Sequence, residues 1–158
     1  MTMRIGSGYD VHAFAPNRPL VLGGITIPFE LGLSGHSDGD TVIHAIVDAL
    51  LGASALGDIG KYFPSSDARW ENQPGSVFLD YVYSMLSQQN WAISNIDATI
   101  VAERPKLSPY IDAMRAYVAT HLHLSLEQVS IKATTTDGLG FAGRQEGIAC
   151  YAVALIER

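Results

Sequence analysis

Apolar residues along this chain recur with two different periods, and the switches between them mark out strands and helices. "MRIGSGYDVHAF", near the start, predicts a strand. "LVLGGITIPF" sets Gly23-Gly24 between two short apolar runs, the signature of a β-hairpin. "DTVIHAIVDALLGASAL" is apolar on almost every side, which predicts a buried helix. "SVFLDYVYSMLSQQ" places Phe78, Val82, Met85 and Leu86 on one helical face. "WAISNIDATIVAE" predicts a further strand. "SPYIDAMRAYVATHL" predicts a helix with Ser108 as N-cap, Pro109 at its first position and a stripe of Ile111, Met114, Val118 and Leu122. "VSIKATTT" alternates as a strand should, and "GIACYAVALIE", apolar on both faces, predicts a central strand. The order β, β-hairpin, α, α, β, α, β, β predicts an α/β fold. The expected form is an α+β sandwich, with a mixed sheet carrying helices on one face and a small hairpin beside it.

Two polar stretches interrupt the pattern, "SGHSDGD" at 34–40 and "YFPSSDARWENQPGS" at 62–76. Loops as long as the second are usually functional or mobile in a compact domain.

The length, 158 residues, fits one domain over 1–158, and composition places it among ordinary globular proteins. Ten basic residues against sixteen acidic ones give a net charge of −6, which argues against a nucleic-acid partner. It leaves room for a phosphorylated small molecule, because a metal or a helix N-terminus can supply the positive field. Cys150 is the only cysteine, so no disulfide can form within the chain and a reducing compartment is expected. The N-terminus "MTMRIGSGYD" has no apolar run of signal-peptide length, and no segment has 18 consecutive apolar residues. The expectation is a cytoplasmic protein with no membrane partner.

The helix that begins near Asp40 repeats Asp40, His44 and Asp48 at a spacing that puts all three on one face. Ionisable groups in an apolar helix are costly unless paired, hydrogen-bonded or bound to metal. Asp40 could equally face the helix dipole in the first turn, and His44 could be a hydrogen-bonded core histidine. In the first strand Asp10 and His12 are two residues apart and point the same way. Alone they fit a half-exposed polar face. With His44 they make a carboxylate and two imidazoles, a set suited to a divalent metal with a fourth position left open. By spacing alone that signal is weak.

Six motifs in order, "DVHAF", "HSDGD…H", "GDIG", "ATTTD", "LGF" and "GRQEGIAC", span nearly the whole chain. Together they closely resemble the 2-C-methyl-D-erythritol 2,4-cyclodiphosphate synthase family of the non-mevalonate isoprenoid pathway. The resemblance implies a reaction in which the 2-phosphate of 4-diphosphocytidyl-2-C-methyl-D-erythritol 2-phosphate attacks the β-phosphorus of its own diphosphate, with CMP leaving. It also implies a homotrimer around a three-fold axis, with active sites between neighbours, a zinc ion at each site and magnesium or manganese as a second cation.

Carried over residue by residue, the resemblance assigns zinc to Asp10, His12 and His44. His36 and Ser37 would contact phosphate, with His36 and Thr135 stabilising the transition state. Ser37 also fits a capping box with Asp40. Asp58, Ile59 and Gly60 would hold the methylerythritol hydroxyls under a loop of Phe63, Pro64, Ser65, Ser66 and Asp67. Ala102, Pro105, Lys106, Leu107 and Ser108 would surround the cytosine. Thr134 and Thr136 would donate to the diphosphate. Asp137 stands where the family usually has Glu as ligand to the second metal, and its shorter reach puts direct contact in question. Arg144 and Glu146, with Phe141 near, would line the three-fold axis, where some members hold an isoprenoid diphosphate. Ser7, between two glycines, has no assigned function. Two rival classes share the ligand set: a metal-dependent phosphoesterase using water as nucleophile, and a non-enzymatic zinc-stabilised oligomer.

Overall fold

The computed structural model describes all residues 1–158. Its main sheet runs in the order β4-β1-β7-β5-β6. The central strand β7 (Gly147–Glu157) is antiparallel to both β1 (Met3–Ala15) and β5 (Ala92–Val101). The edge strand β6 (Val129–Thr134) is parallel to β5, so the sheet is mixed. A two-residue strand, β4 (Gly32–Leu33), pairs with the end of β1. Separately, β2 (Leu20–Leu22) and β3 (Ile25–Ile27) pair antiparallel across Gly23 and Gly24, both in the left-handed region at φ 58° and 76°.

One helix positions the site. The helix α1 (Thr41–Ala53) lies across β1 and β7 and is covered on its other side by α3 (Gly75–Gln88). That double cover is why it is apolar all round. It can lie so close because β1 has no side chain under it at two places. A methyl at Gly8 would sit 1.9 Å from the Ala45 carbonyl, and one at Gly6 would sit 2.0 Å from that of Ala49. The "GSG" segment therefore seats the helix. At the edge, α4 (Ile111–His121) packs on β6. The opposite face of the sheet is bare: Ile5, Tyr9, Val11, Tyr151 and Val153 are between 41% and 71% exposed.

Some local details differ from the sequence expectation. Ser108 opens a 3-10 turn, Ser108–Tyr110, that leads into α4, and no side chain caps this turn. The helix α1 is capped by Asp40, whose Oδ1 accepts from Ile43 N at 3.1 Å, so Ser37 is not the cap. The strand predicted over 129–136 stops at Thr134, after which Asp137 and Gly138 turn into the left-handed region. Two four-residue helices, α2 (Ile59–Tyr62) and α5 (Gly140–Gly143), are too short to leave a period in the sequence. No helix is long and apolar enough to cross a membrane.

Candidate metal centre and ligand clefts

The pleat of β1 turns Asp10 and His12 to the side on which α1 lies. There they meet His44, one turn into α1. His12 Nε2 is 2.8 Å and His44 Nδ1 3.1 Å from Asp10 Oδ2, and the two nitrogens are 3.3 Å apart. A tetrahedral ion with bonds of about 2.0–2.1 Å has ligand–ligand edges of roughly 3.3–3.4 Å. The three atoms therefore stand close to the corners such an ion requires, and the triad could hold a divalent metal. The other nitrogen of His44, Nε2, lies 3.0 Å from Ser37 Oγ. That contact holds the ring and leaves Nδ1 facing the triad.

The electrostatics fit a ligand set. Burial pushes the Asp10 carboxyl up, but hydrogen bonds from His12 and His44, and their charge, outweigh it and hold the group below the usual carboxylate range. Burial pulls His12 down, yet the Asp10 hydrogen bond and charge leave it above its ordinary value. Asp40 does not join the triad. Fully buried, it accepts from Gly23 N (2.9 Å), Gly24 N (2.7 Å) and Ile43 N, tying the hairpin turn to the start of α1. Asp48 accepts from Ile59 N at 2.7 Å, so it orients the turn at Ile59 and makes no bond to His44.

The triad floors a cleft of about 270 Å³, which also brings together His36, Ser37, Ile59, Gly60, Phe63 and Ser65. Trp70 and Phe78 complete its wall and were missed by sequence reasoning. Phe78 carried a signal, but it read as helix stripe alone. Asp58, Pro64, Ser66 and Asp67 do not line the cleft. Asp58 caps α2 through Lys61 N at 3.0 Å. The Asp67 carboxylate is taken by Arg69, and its carbonyl accepts from His36 Nε2 at 3.2 Å.

A second cleft, of about 500 Å³, gathers Ala102, Pro105, Lys106, Leu107 and Ser108 opposite Thr134 and Thr135. No residue lines both clefts. Glu103, within the Ala102–Ser108 segment expected around the cytosine, bridges the two sides of the second one. Its Oε1 accepts from Thr136 N (2.8 Å), Thr136 Oγ1 (3.2 Å) and Gly138 N (3.4 Å). Asp137 is exposed and belongs to no metal-competent cluster. Phe141 joins Thr134, Thr135 and Thr136 with Tyr9 and Tyr151 in a third hollow. Arg144 lies outside all three and pairs with Glu146 at 2.8 Å.

A mixed sheet covered by helices on one face, with a carboxylate–imidazole triad that could hold a metal ion where strand meets helix, defines a small α/β protein with two separate clefts. The chain belongs to the YgbB family, whose model matches residues 3–157. It is 55% identical to 2-C-methyl-D-erythritol 2,4-cyclodiphosphate synthase of Thermosynechococcus vestitus, over 99% of this chain and 98% of the relative. The enzyme of that name from Haemophilus influenzae strain Rd is 52% identical, over 99% of both chains. Among solved structures, IspF of Plasmodium falciparum in complex with CDP superposes with a TM-score of 0.86 at 34% identity, covering 98% of this chain and 95% of that one. The bifunctional IspDF of Campylobacter jejuni gives 0.94 at 39% identity, covering 98% of this chain and 42% of its own longer chain.

Proposed function

We propose that this protein is a 2-C-methyl-D-erythritol 2,4-cyclodiphosphate synthase, acting in the cytoplasm as one domain over its whole length. The observation that carries the reading is the metal-competent triad Asp10–His12–His44 at the floor of a cleft, in a chain so similar to enzymes of that name. The substrate is 4-diphosphocytidyl-2-C-methyl-D-erythritol 2-phosphate. An oxygen of its 2-phosphate bonds to the β-phosphorus, the bridging P–O bond to the α-phosphate breaks, and CMP carries away that oxygen and its electron pair. The nucleophile is already an anion, so no strong base is required, and positioning dominates catalysis.

His36 and Ser37 hold the phosphates beside the triad, and Ser37 at the same time keeps the His44 ring in place. Ile59 and Gly60, with Asp58 at the head of the turn, orient the methylerythritol end. The segment Phe63–Asp67 closes over it and excludes water. Ala102 to Ser108 take the cytosine, and Lys106 and Thr134 to Thr136 take the diphosphate. His36 and Thr135 flank the phosphorus as its bonds change. Asp10, His12 and His44 would hold zinc and Asp137 magnesium or manganese, and these ions would supply charge that neutralises the diphosphate.

The divided site supports a homotrimer. At about 270 Å³ the metal cleft is at the small end of ligand pockets, and the cleft for cytosine lies elsewhere on the same chain. A neighbour's Ala102–Ser108 segment brought against the metal cleft completes one site from two chains. The bare apolar sheet face is the surface such an assembly buries. Arg144 and Glu146 then ring the axis around a cavity for an isoprenoid diphosphate. Chromatography of the nucleotide product tests the reading. One CMP per substrate consumed, with no CDP, is expected; CDP as the product would mean that a different bond is cut.

A further inference from the structure

The loop that carries His36 and Ser37 has no regular structure, yet two of its carbonyls are gripped from outside the cleft. Arg18 Nη1 donates to the Gly35 carbonyl at 2.9 Å, and Nη2 donates to the Ser37 carbonyl at 2.8 Å. One guanidinium thus spans two peptide units, Gly35–His36 and Ser37–Asp38, with the His36–Ser37 unit between them. The base of this arginine is stiff. It stands between Asn17, left-handed at φ 59°, and Pro19, which confines the residue before it to extended backbone. The far end of the loop is pinned separately: Asp38 accepts from Asp40 N at 3.0 Å and from Gly75 N, at the start of α3, at 3.2 Å.

Peptide planarity gives the Arg18 contacts a consequence. In a trans peptide the C=O and N–H point opposite ways. Holding the carbonyls of Gly35 and Ser37 toward Arg18 turns the N–H groups of His36 and Asp38, which belong to the same two peptide units, to the other side of the loop. Neither N–H has an acceptor within the chain. A cation on the carbonyl end also polarises each unit and strengthens its donor. Paired backbone donors of this kind form concavities that take anions.

We propose that Arg18 is a positioning residue: its guanidinium sets the Gly35–Asp38 turn so that the backbone N–H groups of His36 and Asp38 present to a phosphate of the substrate. The inference rests on the synthase reading above. Arg18 touches no substrate, since it lies outside the metal cleft and its donors are engaged by the loop carbonyls.

The test uses the zinc-loaded full chain as wild type, Arg18→Ala and Arg18→Lys, with kcat, KM, zinc content and CMP affinity measured for each. In Arg18→Ala, kcat should fall roughly 10²-fold, because a small misplacement of donors at the reacting phosphate is that costly. Zinc content and CMP affinity should stay within about twofold, and added guanidinium ion should restore part of kcat. Arg18→Lys keeps the charge but loses the planar fork, so it should recover little. Turnover within about threefold of wild type in Arg18→Ala, or loss of zinc and CMP binding in step with kcat, overturns the proposal. If Arg18→Ala does not fold, wild-type kcat in Arg18→Lys overturns it equally. An inactive wild type removes the synthase reading and this proposal together; an active wild type with an equally active Arg18→Ala removes this proposal alone.

Discussion

Gly8→Ala should break the metal centre without touching a ligand. The added methyl would lie 1.9 Å from the Ala45 carbonyl oxygen and 2.8 Å from Ala49 N, where ordinary contact begins at 3.4 Å. Both obstacles are helix backbone, so no side chain can swing aside. The helix α1 must retreat from β1 by about 1.5 Å at this turn, or the strand must bend by as much. Ala45 follows His44 directly, and Gly8 is two residues from Asp10, so the shift falls on the 3.1 Å separation of His44 Nδ1 from Asp10 Oδ2. Metal–ligand distances tolerate only about 0.2 Å. Overpacking usually costs about 1–3 kcal/mol, and a purely backbone clash belongs at the upper end. Urea unfolding should lose about 3 kcal/mol, and zinc affinity should fall by a factor of roughly 10² or more. A Gly8→Ala protein with the wild-type urea midpoint and stoichiometric zinc would refute the reasoning.

Asp48→Ala leaves the Ile59 N–H without its 2.7 Å partner, so KM for the substrate should rise about tenfold while zinc content is unchanged; steady-state kinetics with metal analysis checks both. Glu103→Gln keeps the Oε1 acceptor and should bind CMP as wild type does, whereas Glu103→Ala loses three hydrogen bonds and should bind it about tenfold more weakly by calorimetry. Burial and the neighbouring Asp38 charge push the Asp40 carboxyl up to about 6, against the lowering effect of its backbone donors. The folded chain then binds this proton more tightly than the unfolded one between about pH 4 and 6, so the group's contribution to stability falls as pH rises through that window, by about 3 kcal/mol in all. Urea unfolding of metal-free wild type against Asp40→Asn should show that difference shrinking with rising pH; parallel curves would exclude it.

The long elements were legible because each repeats its apolar period several times. "GIACYAVALIE" shows how far that goes: its apolar run placed it at the centre of the sheet, where β7 stands. It did not reveal that Tyr151 and Val153 would be left on a bare face. Spacing put Asp10 beside His12 and set His44 within an apolar helix, but convergence of the three depends on how closely α1 approaches β1. The signal for that approach was present in Gly6 and Gly8, and it becomes readable only once the strand's partner is known. Ser37 looked like a cap because its spacing to Asp40 fits one. The structure gives that role to Asp40 and turns the hydroxyl to His44. Trp70, Glu103 and Arg18 act through contacts between segments distant in sequence, which no local period encodes.

Phosphorus NMR on the zinc-loaded protein with 4-diphosphocytidyl-2-C-methyl-D-erythritol 2-phosphate tests the central claim most directly. The account predicts CMP together with a cyclic product whose two unlike phosphorus nuclei are joined through one oxygen and couple to each other. It also predicts that His44→Ala, without the helix-borne ligand, forms neither. Linear methylerythritol phosphates, with CMP released and no coupled pair, would mean that water is the nucleophile and would contradict the account.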